Sequence, residues 1–473
     1  MTVQGIFSAK ANAAAQAYAM PRIAVIGRGF SGMMIAIALM KTVRTPFHLQ
    51  LFDPNSSVSV SGGQALASGH SSEILNSRVR DLSVSAGDPD DFNEWLCGNA
   101  PFRSAVPAAI PGFQQIFVPK SIFSDYVYQR FSEAFASRRD VTVQVSGEAV
   151  TGLRRLRGSC FLVESEGAAN APFDMVVLAT GYGIADQESQ SGESVNIPTT
   201  VRARRLVSRP HTVLLGSGLR VVDRLLQMRD SGYAGQITIV SRRGFLPQSH
   251  TRNNAEPVFP ADRMPNQLSE IIRFIRKACE DAEANGQSWQ SVMNGLRKHA
   301  RSLWRALPAG QKQRFNRHLR ALYDSHRNRL PEALHVRLKQ ELAEGNTLLR
   351  RGHFLRRTPT GLTLRPAGQQ EVEQLYADEV IDCRCQAPDL DAPLLRKLID
   401  AGLAVPDELG LGLAVEATGA LAVDGRTTDG VFAIGPLGLG SLPDIDLVPE
   451  IVTQAYAAAE TMAERFHPQC KAV

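Results

Sequence analysis

Short apolar runs closed by glycine and followed by a helical apolar pattern recur along this chain. The first is Ile23-Ala24-Val25-Ile26, then Gly27-Arg28-Gly29-Phe30-Ser31-Gly32, then an apolar stretch from Met33 to Met40. Four apolar residues with β-branched members predict a short buried strand, and the longer stretch predicts a helix. His48-Leu49-Gln50-Leu51-Phe52 predicts a second strand ending at Asp53. Asp174 to Leu178 predicts a third, stopped by Ala179-Thr180-Gly181. The opening pattern then returns: Thr212 to Leu215, Gly216-Ser217-Gly218, a helix from Leu219, and a strand from Gln236 to Val240. Late in the chain, Asp429 to Ile434 runs into Gly435-Pro436, and Pro449-Glu450 opens a helix through Ala459.

Between these units the pattern changes. An acidic first turn before Phe92, Trp95 and Leu96 predicts a helix, and Pro119 leads into another through Tyr126, Phe131 and Phe135. Asp140 to Val145 alternates like a half-buried strand, with Cys160 to Val163 as its expected hairpin partner. Residues 262–345 carry apolar positions at helical spacing, with arginines on the opposite faces. Leu355 to Leu364 predicts a hairpin turning at Thr360-Gly361, and Glu379 to Cys383 a returning strand.

The chain has 473 residues, 44% hydrophobic and 21% charged, which suits a soluble protein of two or three domains. No apolar run reaches the roughly 20 residues needed to span a bilayer, so no membrane partner is expected. The first 19 residues lack a continuous apolar core and do not read as a signal peptide. A net charge of +5 is too small to argue for nucleic acid. Trp304, Phe315 and Tyr323 among the arginines of the helical region belong to its apolar stripe, which favours a solvated basic face over a nucleic-acid surface. The six cysteines form no disulfide framework, and a reducing cytoplasm is the simplest setting. Cys383 and Cys385 read as inert thiols, and His318, His326 and His335 lack metal-ligand spacing, so no metal is expected.

The glycine turns carry the chemistry. Gly27 permits a tight strand-to-helix turn, Gly29 lets a pyrophosphate approach the backbone, and Gly32 lets the helix pack on the strand. The helix N-terminus then presents amides to phosphate, and an acid at the end of the second strand, Asp53, suits a ribose hydroxyl. In the second copy Val221 replaces the third glycine, and Ser241-Arg242-Arg243 stands where the acid would be. Arginine there suits a 2′-phosphate, which points to NADPH over NADH.

Together these stretches resemble the flavoproteins built from two dinucleotide-binding domains, and more narrowly the bacterial FAD–NAD(P)-binding group allied to the N-hydroxylating flavin monooxygenases. The resemblance rests on the three N-terminal glycines, Ser61-Gly62-Gly63-Gln64-Ala65, Leu75-Asn76, Val118-Pro119, and Gly216-Ser217-Gly218-Leu219 with Asp223. It extends through Ser241 to Gly244, Leu246 to His250, His318 to Arg327, Ala433 to Pro436 and Val448 to Ile451. It implies an α/β fold in which a Rossmann-like FAD-binding domain, residues 20–205 and 379–473, holds an inserted NAD(P)-binding Rossmann-like domain, residues 206–378. The latter would carry a helical insertion at about 262–345.

By the same resemblance Gly27, Gly29, Phe30, Ser31, Gly32, Asp53, Gly181, Gly435 and Ile451 would hold FAD. Gly216, Gly218, Arg242 and Arg243 would hold NADPH. The implied activity is oxygenation of a small amine or other soft nucleophile through a flavin C4a-peroxide. The alternative is a reductase or dehydrogenase passing electrons from NAD(P)H to a carrier. Asn76 and His70 are candidates for polar groups at the flavin, with His250 a further one. Asp446, with Asp444, is a candidate for contact with a cationic small-molecule substrate; oligomeric state is not legible. One departure stands out: where such proteins often show a second Thr-Gly, this chain has Arg384-Cys385.

Overall fold

The computed structural model describes residues 20–54, 74–105, 115–156, 160–165, 172–182, 209–251, 256–258, 264–384 and 387–466. The Ser61–Ala65 loop, His70, Cys385 and the first 19 residues lie outside these. The chain divides into two compact units, Met1–Ile184 with Ala387–Val473, and Ala185–Gln386.

The first unit opens with β1 (Arg22–Ile26), α1 (Phe30–Thr42) and β2 (His48–Phe52). Then come α2 (Asp91–Gly98), α3 (Lys120–Ala136), β3 (Thr142–Ser146), β4 (Val150–Arg155), β5 (Phe161–Ser165) and β6 (Met175–Leu178). The second unit contributes β7 (His211–Leu215), α4 (Leu219–Asp230) and β8 (Gln236–Ser241). Six helices follow among the described residues: α5 (Leu268–Ala284), α6 (Trp289–Arg297), α7 (Ala300–Ala306), α8 (Ala309–His318), α9 (Arg320–Arg327) and α10 (Glu332–Ala343). The unit closes with β9 (Thr347–Thr358), β10 (Gly361–Pro366), β11 (Glu373–Tyr376) and β12 (Glu379–Asp382). The chain then returns to the first unit as α11 (Pro393–Asp400), β13 (Ala420–Val423), β14 (Arg426–Ala433) and α12 (Val448–Phe466). Exit and re-entry meet within that unit, where the Asp389 amide donates to the Tyr182 carbonyl at 2.9 Å.

The first unit's sheet runs β13-β14-β6-β1-β2-β3, parallel except for β13. Its central strands are continuously apolar because both faces are covered. Ile23 and Val25 of β1 face one core with α1, α3 and α12, while Ala24 and Ile26 face the other with the β4–β5 hairpin and α11. Helix α1 is buried from Phe30 to Met40 rather than along one stripe, because it lies between the sheet and α12. Ala455, Ala458 and Ala459 of α12 belong to the same core, small residues suited to close helix packing. Burying Met34, Ile35, Ile37 and Leu39 of α1 contributes about 1.5–3 kcal/mol each.

The second unit's sheet runs β11-β10-β9-β8-β7-β12, with β9, β8, β7 and β12 parallel. The six helices fill the crossover from β8 to β9, as the helical spacing of residues 262–345 predicts. Trp304, Phe315 and Tyr323 stack edge to face in series, with ring centroids 5.7 and 5.6 Å apart, so these aromatics are spent on packing within the insertion.

Two expectations are corrected. Residues 160–163 do not form a hairpin with 140–145: β3 pairs in parallel with β2 as an exposed edge strand, and β5 pairs antiparallel with β4. The connection from β2 through α3 is long enough to bring β3 in parallel to β2, and the outer edge of β3 stays without a strand among the described residues. The strand beginning at Glu379 does not open the returning part of the first unit. It pairs with β7 and completes the second unit's sheet, so the return begins at Ala387.

Candidate functional site

At the C-terminal edge of the first sheet the turn after β1 is built around Gly27. Its φ is +102°, and a Cβ there would lie 2.4 Å from the Ala179 carbonyl oxygen. Its amide donates to the Phe52 carbonyl (2.8 Å), and the Ala179 amide to that of Ile26 (2.8 Å), so the turn is tied to β2 on one side and β6 on the other. A Cβ on Gly32 would lie 2.0 Å from the Gly27 carbonyl oxygen, which is why the third motif position is glycine. Gly29 caps α1 with extended backbone and no side-chain hydrogen bond, and the first turn has no acid. The helix thus begins with amides and partial positive charge, the arrangement that receives an anion. The Asp53 carboxylate accepts from the Arg28 amide at 3.1 Å, beside the same turn.

The late strand reaches this place too. Gly435, at φ +86°, packs so closely on α1 that a Cβ would lie 2.3 Å from Ser31 Oγ, with Ile451 Cδ1 3.9 Å away. Gln454, fully buried on α12, accepts from the Gly435 amide (2.8 Å) and donates to the Ala433 carbonyl (3.3 Å). Gly27, Gly29, Phe30, Ser31, Gly32, Asp53, Gly435 and Ile451 therefore gather at one sheet edge, and Gly181 (φ +65°) follows β6 there. Sequence reasoning missed Gln454; its signal is a polar residue inside the apolar stripe Ile451, Val452, Ala455, Ala458.

The remaining first-unit candidates are more dispersed. Asn76 is half-buried and follows Leu75, whose amide donates to the Val118 carbonyl (2.9 Å), so two stretches of the resemblance pair here. Asp444 is buried at φ +62°, and Asp446 is half-buried. The Ile451 amide donates to the Leu447 carbonyl (2.9 Å), which puts Leu447, rather than either acid, at the backbone cap position of α12. The segment ahead of these acids is clamped by another loop. The Leu413 amide donates to the Leu437 carbonyl (2.7 Å) and the Val415 amide to Ser441 Oγ (3.1 Å). That second loop is folded about buried Asp407, which accepts from the amides of Leu409 (2.7 Å) and Leu411 (2.9 Å). Burial raises the Asp407 carboxyl above its ordinary range against the lowering effect of those amides.

The second unit repeats the two backbone bonds that tie the turn to its neighbouring strands. Gly216 (φ +117°) donates to the Val240 carbonyl (2.8 Å), and Cys383 donates to that of Leu215 (2.9 Å). Gly218 caps α4 as Gly29 caps α1, with extended backbone and no side-chain bond. Val221, at the third glycine position, is fully buried in the core under α4. Ser241 stands where Asp53 stands in the first unit, and its Oγ accepts from the Gly244 amide (2.8 Å), turning the chain so that Arg242 and Arg243 are exposed. Arg243 also donates to the Arg317 carbonyl at the end of α8 (3.4 Å). A Cβ on Gly216 would lie 3.2 Å from the Cys383 carbonyl oxygen and 3.3 Å from the Arg384 amide nitrogen. Cys383 is buried, and burial pushes its thiol up to about 11, consistent with an inert side chain. His250 lies in this unit, its amide donating to the Leu330 carbonyl (2.9 Å).

Among the described residues no group of three or more His, Cys, Asp or Glu could hold a metal ion, and no helix is long and apolar enough to cross a membrane.

Residues 24–183 match the family model described as FAD-NAD(P)-binding. No curated protein matches the sequence. Among solved structures, the chain is similar to the ornithine N-hydroxylase of Kutzneria sp. 744 with reduced FAD, NADP+ and L-ornithine. The identity is 14% and the TM-score 0.59, over 94% of this chain and 99% of that one. It is similar to the L-lysine 6-monooxygenase of Pseudomonas syringae, at 14% identity and TM-score 0.56 over 94% and 99%. It is also similar to the FAD-bound cadaverine monooxygenase of the desferrioxamine pathway of Erwinia amylovora, at 12% identity and TM-score 0.57 over 93% of each chain. At these identities the likeness is one of fold, and at that level it agrees with the resemblance carried by the motifs.

Proposed function

We propose that the chain is an FAD-dependent, NADPH-using monooxygenase of a small amine. The observation that carries this reading is the duplicated turn: the same strand–glycine–helix geometry, closed by the same backbone bonds, ends in an acid in one unit and in two arginines in the other. Two dinucleotides of different chemistry fit that pair better than one. The match of residues 24–183 to an FAD-NAD(P)-binding model supports the first site.

In this reading Gly27 and Gly29 bring the backbone to the FAD pyrophosphate, the first amides of α1 neutralise it, and Asp53 accepts from a ribose hydroxyl. Gly435, held by Gln454, gives the flavin end a wall without a side chain. Bound FAD supplies hydride acceptance from NADPH and activation of dioxygen, and the protein supplies position, dryness and charge. Gly216 and Gly218 receive the second pyrophosphate, and Arg242 and Arg243 the 2′-phosphate. Asn76 offers a polar contact beside the flavin. Asp446, together with Asp444, favours a cationic substrate, in keeping with the ornithine, lysine and cadaverine enzymes that share the fold.

The test is stoichiometric. Purified protein supplied with FAD, NADPH, dioxygen and a panel of short diamines and basic amino acids should yield a hydroxylated amine, one per dioxygen consumed in the coupled reaction. NADPH consumption that reduces an added electron carrier and leaves every amine unchanged would instead establish a reductase.

A further inference from the structure

The two units differ at one more matched position. In the first, the residues after β6 that face the glycine turn are Ala179 and Thr180; in the second, the residues after β12 are Cys383 and Arg384. A small neutral side chain is thus replaced by a fixed cation. The Arg384 guanidinium donates from Nε to both Asp382 oxygens (2.9 and 3.0 Å) and lies over the Phe354 ring, 4.9 Å from its centroid. Arg220, on the first turn of α4, donates to the Arg384 carbonyl (3.2 Å), tying this strand end to the helix cap. Burial works to raise the Asp382 carboxyl, and Arg384 with Arg357 outweighs it, leaving Asp382 below its ordinary range and charged.

A local ion pair between residues two apart, half-exposed on the arginine side, stabilises a fold little. What the arrangement does is hold a planar donor in one orientation: a guanidinium has five N–H groups, and the bonds to Asp382 engage only part of them. Its place in the sheet gives the orientation meaning. β8 and β12 flank β7 on opposite sides, with Arg242 and Arg243 just beyond β8 and Arg384 just beyond β12. A dinucleotide whose pyrophosphate crosses the Gly216 turn and whose 2′-phosphate lies at Arg242 and Arg243 must send its other half toward β12.

We infer that Arg384, held by Asp382 and Phe354, is a coenzyme-binding residue that contacts the nicotinamide-side phosphate and ribose of NADP(H). This rests on the NADPH reading above. Arg242 and Arg243 then hold one end of the coenzyme and Arg384 the other, which a fragment ligand can separate.

The experiment is calorimetric titration of the full chain with NADP+ and with adenosine 2′,5′-bisphosphate, which carries the 2′-phosphate and lacks the nicotinamide half. Arg384→Ala should weaken NADP+ binding about tenfold, the loss of a charge-assisted contact, and leave the bisphosphate unchanged. Arg242→Ala with Arg243→Ala should weaken both ligands. Arg384→Gln, which keeps most of the stem, should behave as the alanine variant and serves if that variant unfolds. Unchanged NADP+ affinity in either Arg384 variant, or equal weakening of both ligands, overturns the inference while leaving the coenzyme reading intact. Failure of the unmodified chain to bind either ligand removes both.

Discussion

The amide of Arg28 donates to the carboxylate of Asp53 at 3.1 Å, joining the turn after the first strand to the end of the second. That bond keeps an acid beside the glycine turn of the first unit. At the matched place in the second unit Ser241 bonds Gly244 instead, and the next two residues are exposed arginines. An acid there would repel a 2′-phosphate, and a guanidinium pairs with one in a fork.

From this follows a coenzyme preference. A hydrogen bond to a charged group is worth about 1.5–3 kcal/mol, or roughly ten- to a hundredfold in affinity. Arg242→Ala with Arg243→Ala should raise the KM for NADPH by that factor and leave the KM for NADH nearly unchanged. Steady-state kinetics with both coenzymes check it, and equal use of the two by the unmodified protein contradicts it.

Gln454 is the buried brace of the late glycine turn. Gln454→Leu keeps the volume and strands the Gly435 amide and the Ala433 carbonyl, at a cost of about 1–3 kcal/mol for each group left unsatisfied. The melting temperature should fall and FAD should be lost more readily on dilution, both measurable by flavin fluorescence during thermal unfolding.

Asp446 is placed to distinguish substrate contact from a structural role. Asp446→Asn should leave flavin content and melting temperature nearly unchanged and weaken amine-stimulated NADPH oxidation about tenfold, the loss of one charged contact. An unaltered amine response in both Asp444→Asn and Asp446→Asn would remove the argument for a cationic substrate.

His48 gives a pH dependence. Burial, and then the nearby Arg22, lower its pKa from the ordinary 6.5, and its Nδ1 bonds Thr142 Oγ1 at 2.7 Å. The folded state therefore binds fewer protons than the unfolded state between that lowered value and 6.5. Stability is full above 6.5 and declines as pH falls through this window. Denaturant titrations across it should show a decline that is shallower in His48→Gln.

Much of this was legible because buried parallel strands and glycine turns leave strong local signatures. Gly27, Gly32 and Gly216 are glycine for reasons of contact and φ that the motif spacing anticipates. What was not legible depends on partners distant in sequence. β3 reads as a hairpin strand because alternation reports exposure and not direction, and only the α3 crossover fixes it as parallel. Glu379–Asp382 reads as a return to the first unit because two apolar residues between acids do not say which sheet they complete. Arg384 and Gln454 draw their meaning from Gly216 and Gly435, 168 and 19 positions away in the chain, which no local pattern reveals.

The most direct test of the two-nucleotide account is anaerobic reduction. Protein saturated with FAD should show protein-bound flavin absorbance, and one equivalent of NADPH should bleach it far faster than one equivalent of NADH. Protein that takes up no FAD, or bound flavin that neither coenzyme bleaches, would contradict the account.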